Sequence, residues 1–212
     1  MIRLLVADDH ELMRRGICQL LQMRKDWQVC GEAGNGRQAV ELAAQLKPDI
    51  AILDIGMPDL NGLEATRQIK KVSPQTEVLI FTMHETDQLI HDVLAAGALG
   101  YVLKSDAARC LTSAIESLED HKPFFSAKVS ETVLDGFLKT SGAGLEADRV
   151  TPREREIIQL LAEGKSNKEV SEILGISIKT TETHRSSIMK KLDLKSFADL
   201  VRYAVRNKIV ET

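Results

Sequence analysis

Across the first 120 residues, short apolar runs rich in Leu, Ile and Val alternate with longer stretches whose apolar positions recur every three to four residues. The first pattern is that of strands buried on both faces, the second that of amphipathic helices. Five strands are predicted, at Arg3–Ala7, Gln28–Ala33, Asp49–Leu53, Glu77–Thr82 and Gly100–Leu103, with helices over 11–24, 36–46, 62–71, 87–95 and 107–119. Strictly alternating strands and helices make βαβ units, so the fold class is α/β with a parallel sheet.

The pattern changes after residue 120. A short helix is predicted near Ser126–Leu138, followed by Thr140-Ser-Gly-Ala-Gly144, whose small residues offer no packing face and read as a linker. From Thr151 the periodicity is purely helical, in four segments with explicit start and stop signals. Thr151-Pro152-Arg153-Glu154 combines a cap, a proline at the first helical position and a reciprocal Glu, and Ser166-Asn167-Lys168-Glu169 repeats the capping-box spacing. Gly164 and Gly175 stand where a left-handed residue ends a helix. The expected organisation is a domain over 1–120, a linker over 121–149 and an all-α domain over 150–212.

Charge divides the chain in the same place. Residues 150–212 carry twelve Lys/Arg against nine Asp/Glu, whereas residues 1–149 carry sixteen against twenty-two. A mildly basic helical domain beside an acidic one admits a nucleic-acid partner for the former. Cys18, Cys30 and Cys110 are odd in number and form no CxxC pair, which argues against a disulfide framework or a zinc site and suits a reducing cytoplasm. The N-terminus lacks the apolar core of a signal peptide, and no stretch approaches the roughly 20 apolar residues of a membrane span, so a soluble cytoplasmic protein is expected.

In a parallel sheet, ligands bind outside the carboxyl ends of the strands. Asp8 and Asp9 follow the first predicted strand, Asp54 the third, Thr82 ends the fourth and Lys104 follows the fifth. Taken singly, Asp9 is as well explained as a helix cap, Asp54 as a turn residue, Thr82 as a β-branched strand residue and Lys104 as solvated surface. Together they converge on one edge. Three carboxylates in a small crevice repel one another, and a hard divalent cation, Mg²⁺ above all, relieves the repulsion.

The motifs VADDH at 6–10, LDIGMPDLNG at 53–62, FTMHE at 81–85 and GYVLKSD at 100–106 resemble, in order and spacing, those of the response-regulator receiver, a doubly wound, flavodoxin-like five-stranded sheet. The resemblance implies that Asp54 accepts a phosphoryl group from a sensor histidine kinase. It implies that Asp9 and Asp54 hold Mg²⁺ with the Gly56 carbonyl, that Asp8 assists through water, and that Thr82 and Lys104 read out phosphorylation with Tyr101 as an aromatic switch. Without it, Tyr101 reads as a half-buried strand residue. Ser105 replaces the usual Pro after Lys104, and Met83 replaces a small residue, which narrows access to Asp54. Gly56 and His84 occupy positions that tune dephosphorylation in the family; a missing side chain at Gly56 leaves attacking water poorly oriented and the phosphoaspartate long-lived.

Two helical runs within 167–192, separated by Gly175-Ile176-Ser177, have the layout of a helix-turn-helix with Ser177 capping the second helix. Thr181, Ile188 and Leu192 fall on its inner face with His184 beside them, and Lys179, Glu182, Thr183, Ser186 and Lys190 on the other. Any surface helix has such a polar face. The strings VTPRERE, LLAEGKSNKEV and GISIKTTETHRSSIMKKL, however, resemble the LuxR-type output domain along its length, with Thr181 in place of the usual Val. By that resemblance Lys179, Thr180, His184, Arg185 and Lys190 hold phosphates of double-stranded promoter DNA, while Glu182, Thr183 and Ser186 approach bases. So small a reading surface favours a homodimer on paired half-sites, formed on phosphorylation, with Ala198–Val205 either its interface or core.

The two motif sets identify the chain as a NarL/FixJ-type two-component response regulator, a transcriptional regulator and not an enzyme. A haloacid-dehalogenase-type phosphatase, the rival that also forms a phosphoaspartate, needs an Asp two residues after the nucleophile, where this chain has Gly56. A receiver with a protein- or RNA-binding output is the second alternative; Lys179, Arg185, Lys190 and Lys191 on or beside the recognition helix favour DNA.

Overall fold

A computed structural model describes residues 1–83, 86–125 and 150–210, with the backbone alone at residues 87, 88 and 108. The helix expected at 126–138, the linker segment 140–144 and His84 lie outside the described residues. The chain divides into two compact units, Met1–Ala143 and Gly144–Thr212.

In the first unit, β1 (Ile2–Ala7), β2 (Trp27–Ala33), β3 (Ile50–Leu53), β4 (Glu77–Thr82) and β5 (Gly100–Leu103) alternate with α1 (Glu11–Gln22), α2 (Gly36–Leu46), α3 (Gly62–Val72), α4 (Asp87–Ala96) and α5 (Ala107–Glu119). With β6 (Phe124–Phe125), the strands lie in the order β2-β1-β3-β4-β5-β6, all parallel. The sixth strand, Phe124–Phe125, exceeds the five expected: Phe124 N donates to Leu99 O at 3.1 Å and pairs opposite Gly100. Two residues are too few to show a period of two, and they fall in the segment read as linker.

Alternate residues of each central strand feed two cores. Leu5, Ala7, Ala51, Leu53, Val78 and Ile80 pack on one face, and Leu4, Val6, Ile50, Ile52, Leu79 and Phe81 on the other. All are essentially inaccessible to solvent, which explains the uninterrupted apolar runs in the sequence. The chain order reverses between β1 and β3, where a crevice opens at the carboxyl ends. Register sets Ala7 opposite Leu53, and Asp54 N donates to Ala7 O at 2.9 Å, so Asp8 and Asp54 emerge at one level.

The loop after β3 is anchored by burial of Ile55, Met57 and Leu60. Asn61 then caps α3 by accepting from Glu64 N at 2.9 Å. Gly62 lies so close beneath Asp54 that a Cβ would sit 2.1 Å from the Asp54 carbonyl oxygen. Only a residue without a side chain permits that approach.

The second unit holds α6 (Pro152–Ala162), α7 (Asn167–Leu174), α8 (Ile178–Lys191) and α9 (Phe197–Arg206). Both expected capping boxes form, and Gly164 and Gly175 adopt φ of 86° and 63°. Ser177 accepts from Thr180 N at 3.0 Å, starting α8 after the turn of the helix-turn-helix. Thr181 and Ile188 bury the inner face of α8, and the Thr181 hydroxyl donates to Ser177 O at 3.3 Å, which meets its need for a partner. Leu200 and Ala204 of the segment 198–205 belong to the core, whereas Ala198 is exposed. Lys191, one of the cations on or beside the recognition helix, pairs with Glu154 at 2.7 Å and ties the end of α8 to the start of α6.

Burial works against the charge on Glu154, yet the Lys191 ammonium and the Thr151 N–H outweigh it and hold the carboxyl below its usual range. Its stabilising contribution is therefore present above the unfolded carboxyl pKa of about 4.3 and lost as pH falls through the lower folded value. Chemical denaturation of the second unit should show Glu154→Gln to be less stable than wild type at pH 7, with the gap closing on acidification. At Gly62, Ala is expected to cost ~1–3 kcal/mol, the range for overpacking, with the shift centred on Asp54; thermal unfolding checks the first and the backbone amide resonances of Asp54 and Ile55 the second.

Candidate functional site

Three strand ends, those of β1, β3 and β5, contribute to the crevice. The buried Asp8 and Asp54 carboxylates face Lys104, whose Nζ lies 2.8 Å from Asp8 Oδ2 and 2.7 Å from Asp54 Oδ2. The Asp54 contact is a hydrogen bond, whereas the angle at Asp8 leaves an ion pair and keeps Oδ2 open as an acceptor. Asp54 Oδ1 accepts from Ile55 N at 2.8 Å, and Asp8 Oδ1 from His10 N at 2.8 Å. The side chains are thus fixed by backbone donors one or two residues away.

Burial drives the Asp54 carboxyl above the usual carboxylate range, against the pull of Lys104. Burial likewise opposes the charge on Lys104, but its contacts with the Asp54 and Asp8 carboxylates prevail and hold the ammonium above its ordinary value.

Asp8, Asp9, His10 and Asp54 present ligand atoms within 4.8 Å of one another. Oxygen donors on three carboxylates, opposed by one ammonium, leave excess negative charge that suits a hard divalent cation. The structure therefore brings together Asp8, Asp9, Asp54 and Lys104 from the residues singled out in sequence. Thr82 is buried at the end of β4, and Tyr101 is fully buried in the core of β5 rather than half-buried. Met83 is 66% exposed. The Lys104–Ser105 peptide is trans and opens a short 3₁₀ turn, Lys104–Asp106.

Two residues were missed in sequence. His10 Nδ1 lies 2.9 Å from Asp9 Oδ1, and Arg14 donates to the Asp8 carbonyl at 2.7 Å from one turn into α1. Proximity to the Asp8-Asp9 pair was the available signal. In the second unit, Lys179, Thr180, Glu182, Thr183, Ser186 and Lys190 are exposed along α8, with His184 and Arg185 partly covered.

Two family models match, the response regulator receiver domain over residues 4–116 and the luxR family of bacterial regulatory proteins over 148–204. The chain is 38% identical over 210 residues to the transcriptional regulatory protein LiaR of Bacillus subtilis, covering 99% of this chain and all of that one. It is 34% identical over 216 residues to the oxygen regulatory protein NreC of Staphylococcus carnosus, at the same coverage. Among solved structures, a LuxR-family response regulator from Aurantimonas matches at a TM-score of 0.62 and 31% identity, over 65% of this chain and 99% of that one. The RcsB response regulator of Salmonella typhimurium matches at 0.59 and 28%, over 96% and 98%. With both halves matched and full-length relatives well above 30% identity, the chain belongs to the two-component response regulators with a LuxR-type output domain, and is a phosphorylation-dependent transcription regulator.

Proposed function

We propose that Asp54 is the phosphoacceptor and that its phosphorylation by a sensor histidine kinase controls binding of the α8 helix to promoter DNA. The observation that carries this reading is the buried Asp54 carboxylate held by Lys104 beside Asp8 and Asp9. An Asp54 oxygen forms the new O–P bond as the N–P bond of a phosphohistidine breaks, and the departing imidazole takes up a proton. Asp8, Asp9, Asp54 and the Gly56 carbonyl would hold Mg²⁺. When bound, the ion supplies charge neutralisation between Asp54 and the incoming phosphoryl oxygens.

Lys104 can pass from Asp54 Oδ2 to a phosphoryl oxygen with little movement, since the new oxygen is attached to the group it already touches. The Thr82 hydroxyl hydrogen-bonds a second phosphoryl oxygen, which draws the end of β4 inward and shifts the population toward the active state. Tyr101, on the neighbouring strand, moves with it. Lys179, Thr180, His184, Arg185 and Lys190 contact phosphates and Glu182, Thr183 and Ser186 approach bases. RcsB has been solved both with DNA and as dimers on DNA, which supports a homodimer on paired half-sites here. The role is regulatory rather than enzymatic, in the cytoplasm; among the described residues no helix is long and apolar enough to cross a membrane.

Intact mass after incubation with a small acyl phosphate and Mg²⁺ tests the assignment: one phosphoryl adduct is expected on wild type and none on Asp54→Asn, and an adduct on the variant would refute it. Thermal unfolding adds a second check. Because the folded pKa of Asp54 is raised, its contribution to stability is greatest below the unfolded value of about 3.9 and is lost as pH rises through the folded value. Asp54→Asn should therefore unfold at a higher temperature than wild type at pH 7, and the advantage should vanish near pH 4. Mg²⁺ should narrow the gap at pH 7, adding ~1.4 kcal/mol to wild type per tenfold concentration above its Kd.

Phosphoaspartate lifetime probes Gly56. Without a side chain to orient water, wild type should hold its phosphoryl group longer than Gly56→Asn by a few-fold or more, as read from adduct decay; a shorter wild-type half-life contradicts the role given to Gly56.

A further inference from the structure

The cations of the second unit differ in what holds them. Arg153 bonds to Glu156 and the Leu174 carbonyl at 3.2 and 2.9 Å, Arg202 pairs with Asp199 at 2.5 Å, and Lys191 pairs with Glu154 at 2.7 Å. Arg185 has no carboxylate or hydrogen-bond partner among the described residues. Its guanidinium carbon instead lies 5.8 Å from the centre of the Phe197 ring, within the reach of a cation–π contact.

We infer that Phe197 is a positioning residue for DNA binding, a ring at the start of α9 that holds the Arg185 guanidinium by its flat face and leaves its N–H edge free for a phosphate. This rests on the reading above in which Arg185 contacts the DNA backbone. A carboxylate partner would occupy the donors and cancel the charge. An aromatic face restrains the side chain while doing neither. Restraint in the free protein reduces the rotamer freedom lost when the phosphate is engaged.

Phe197 is itself well placed to act as a fixed support. It is the first residue of α9, directly after the cap Ser196, which accepts from Asp199 N at 3.2 Å. Asp199 reciprocates by accepting from Lys195 N at 3.2 Å and from the Ser196 hydroxyl at 2.7 Å. Phe197 is 42% exposed, so it is not committed to the core and can offer a surface on which Arg185 rests.

The test measures binding of the full chain, with Mg²⁺ and an acyl phosphate, to a fluorescent duplex of arbitrary fixed sequence over a range of salt. Phosphate contacts carry no sequence information, so no promoter is needed. Arg185→Ala should lower the slope of log K against log salt by about 0.9, the signature of one lost phosphate contact. Phe197→Leu should weaken binding ~2–5-fold, as an exposed cation–π contact allows, and Phe197→Trp should restore it. In the Arg185→Ala background, Phe197→Leu should make no further difference. An equal loss in both backgrounds, no loss, or failure of Trp to restore binding overturns the inference while leaving the DNA contact of Arg185 intact. An unchanged salt slope in Arg185→Ala, whatever stands at 197, overturns that contact and the inference with it.

Discussion

The excess of negative charge at the carboxyl edge of the sheet is the constraint from which the rest follows. Two buried carboxylates, Asp8 and Asp54, share a single ammonium from Lys104, and Asp9 adds a third at the rim. Such a cluster is tolerated because backbone donors at Ile55 and His10 satisfy the outer oxygens and because Lys104 is kept charged by the acids it neutralises. Buried ion pairs of this kind contribute little net stability, since desolvation offsets most of the attraction. Their value here lies in chemistry. A site short of positive charge suits a divalent cation, and on the proposed reading an ammonium that already touches Asp54 is placed for phosphoryl oxygens.

Rigidity below the crevice makes that charge pattern usable. The strands that carry Asp8, Asp54 and Thr82 are buried on both faces, and the loop behind Asp54 is pinned by Ile55, Met57 and Leu60 while Gly62 lets α3 press against the Asp54 carbonyl. On the proposed reading, a displacement of the Thr82 strand end would be passed to the adjacent strand that carries Tyr101, because close-packed interiors repack between discrete arrangements rather than deform smoothly. In the output unit, Lys191 pairs with Glu154 and ties the end of α8 to the start of α6, while Lys179 and Lys190 are exposed along the outer face of α8.

Much of this was legible in the residues. Central strands announced themselves because burial on both faces demands unbroken apolar runs, and the helix starts of the second unit because capping is local, as Thr151–Glu154 and Ser166–Glu169 show. The convergence of Asp8, Asp54 and Lys104 followed from their places at strand ends. What escaped depended on contacts distant in sequence or on side-chain rotamers. Glu154 and Lys191 are 37 residues apart and nothing local pairs them. Taken without the motifs, Tyr101 read as half-buried; it is fully buried, and β6, which pairs with β5 opposite Tyr101, is a strand too short to carry a pattern. The exposure of Met83, and the hold of His10 on Asp9, are rotamer choices that spacing does not encode.

The central claim is that charge chemistry at Asp54 governs the DNA-binding helix. Genome-wide DNA occupancy, measured with and without phosphodonor in wild type and Asp54→Asn, tests it most directly. The account predicts discrete sites that fill on phosphorylation in wild type and stay empty in the variant. Equal occupancy of the same sites by both proteins under phosphorylating conditions would contradict it.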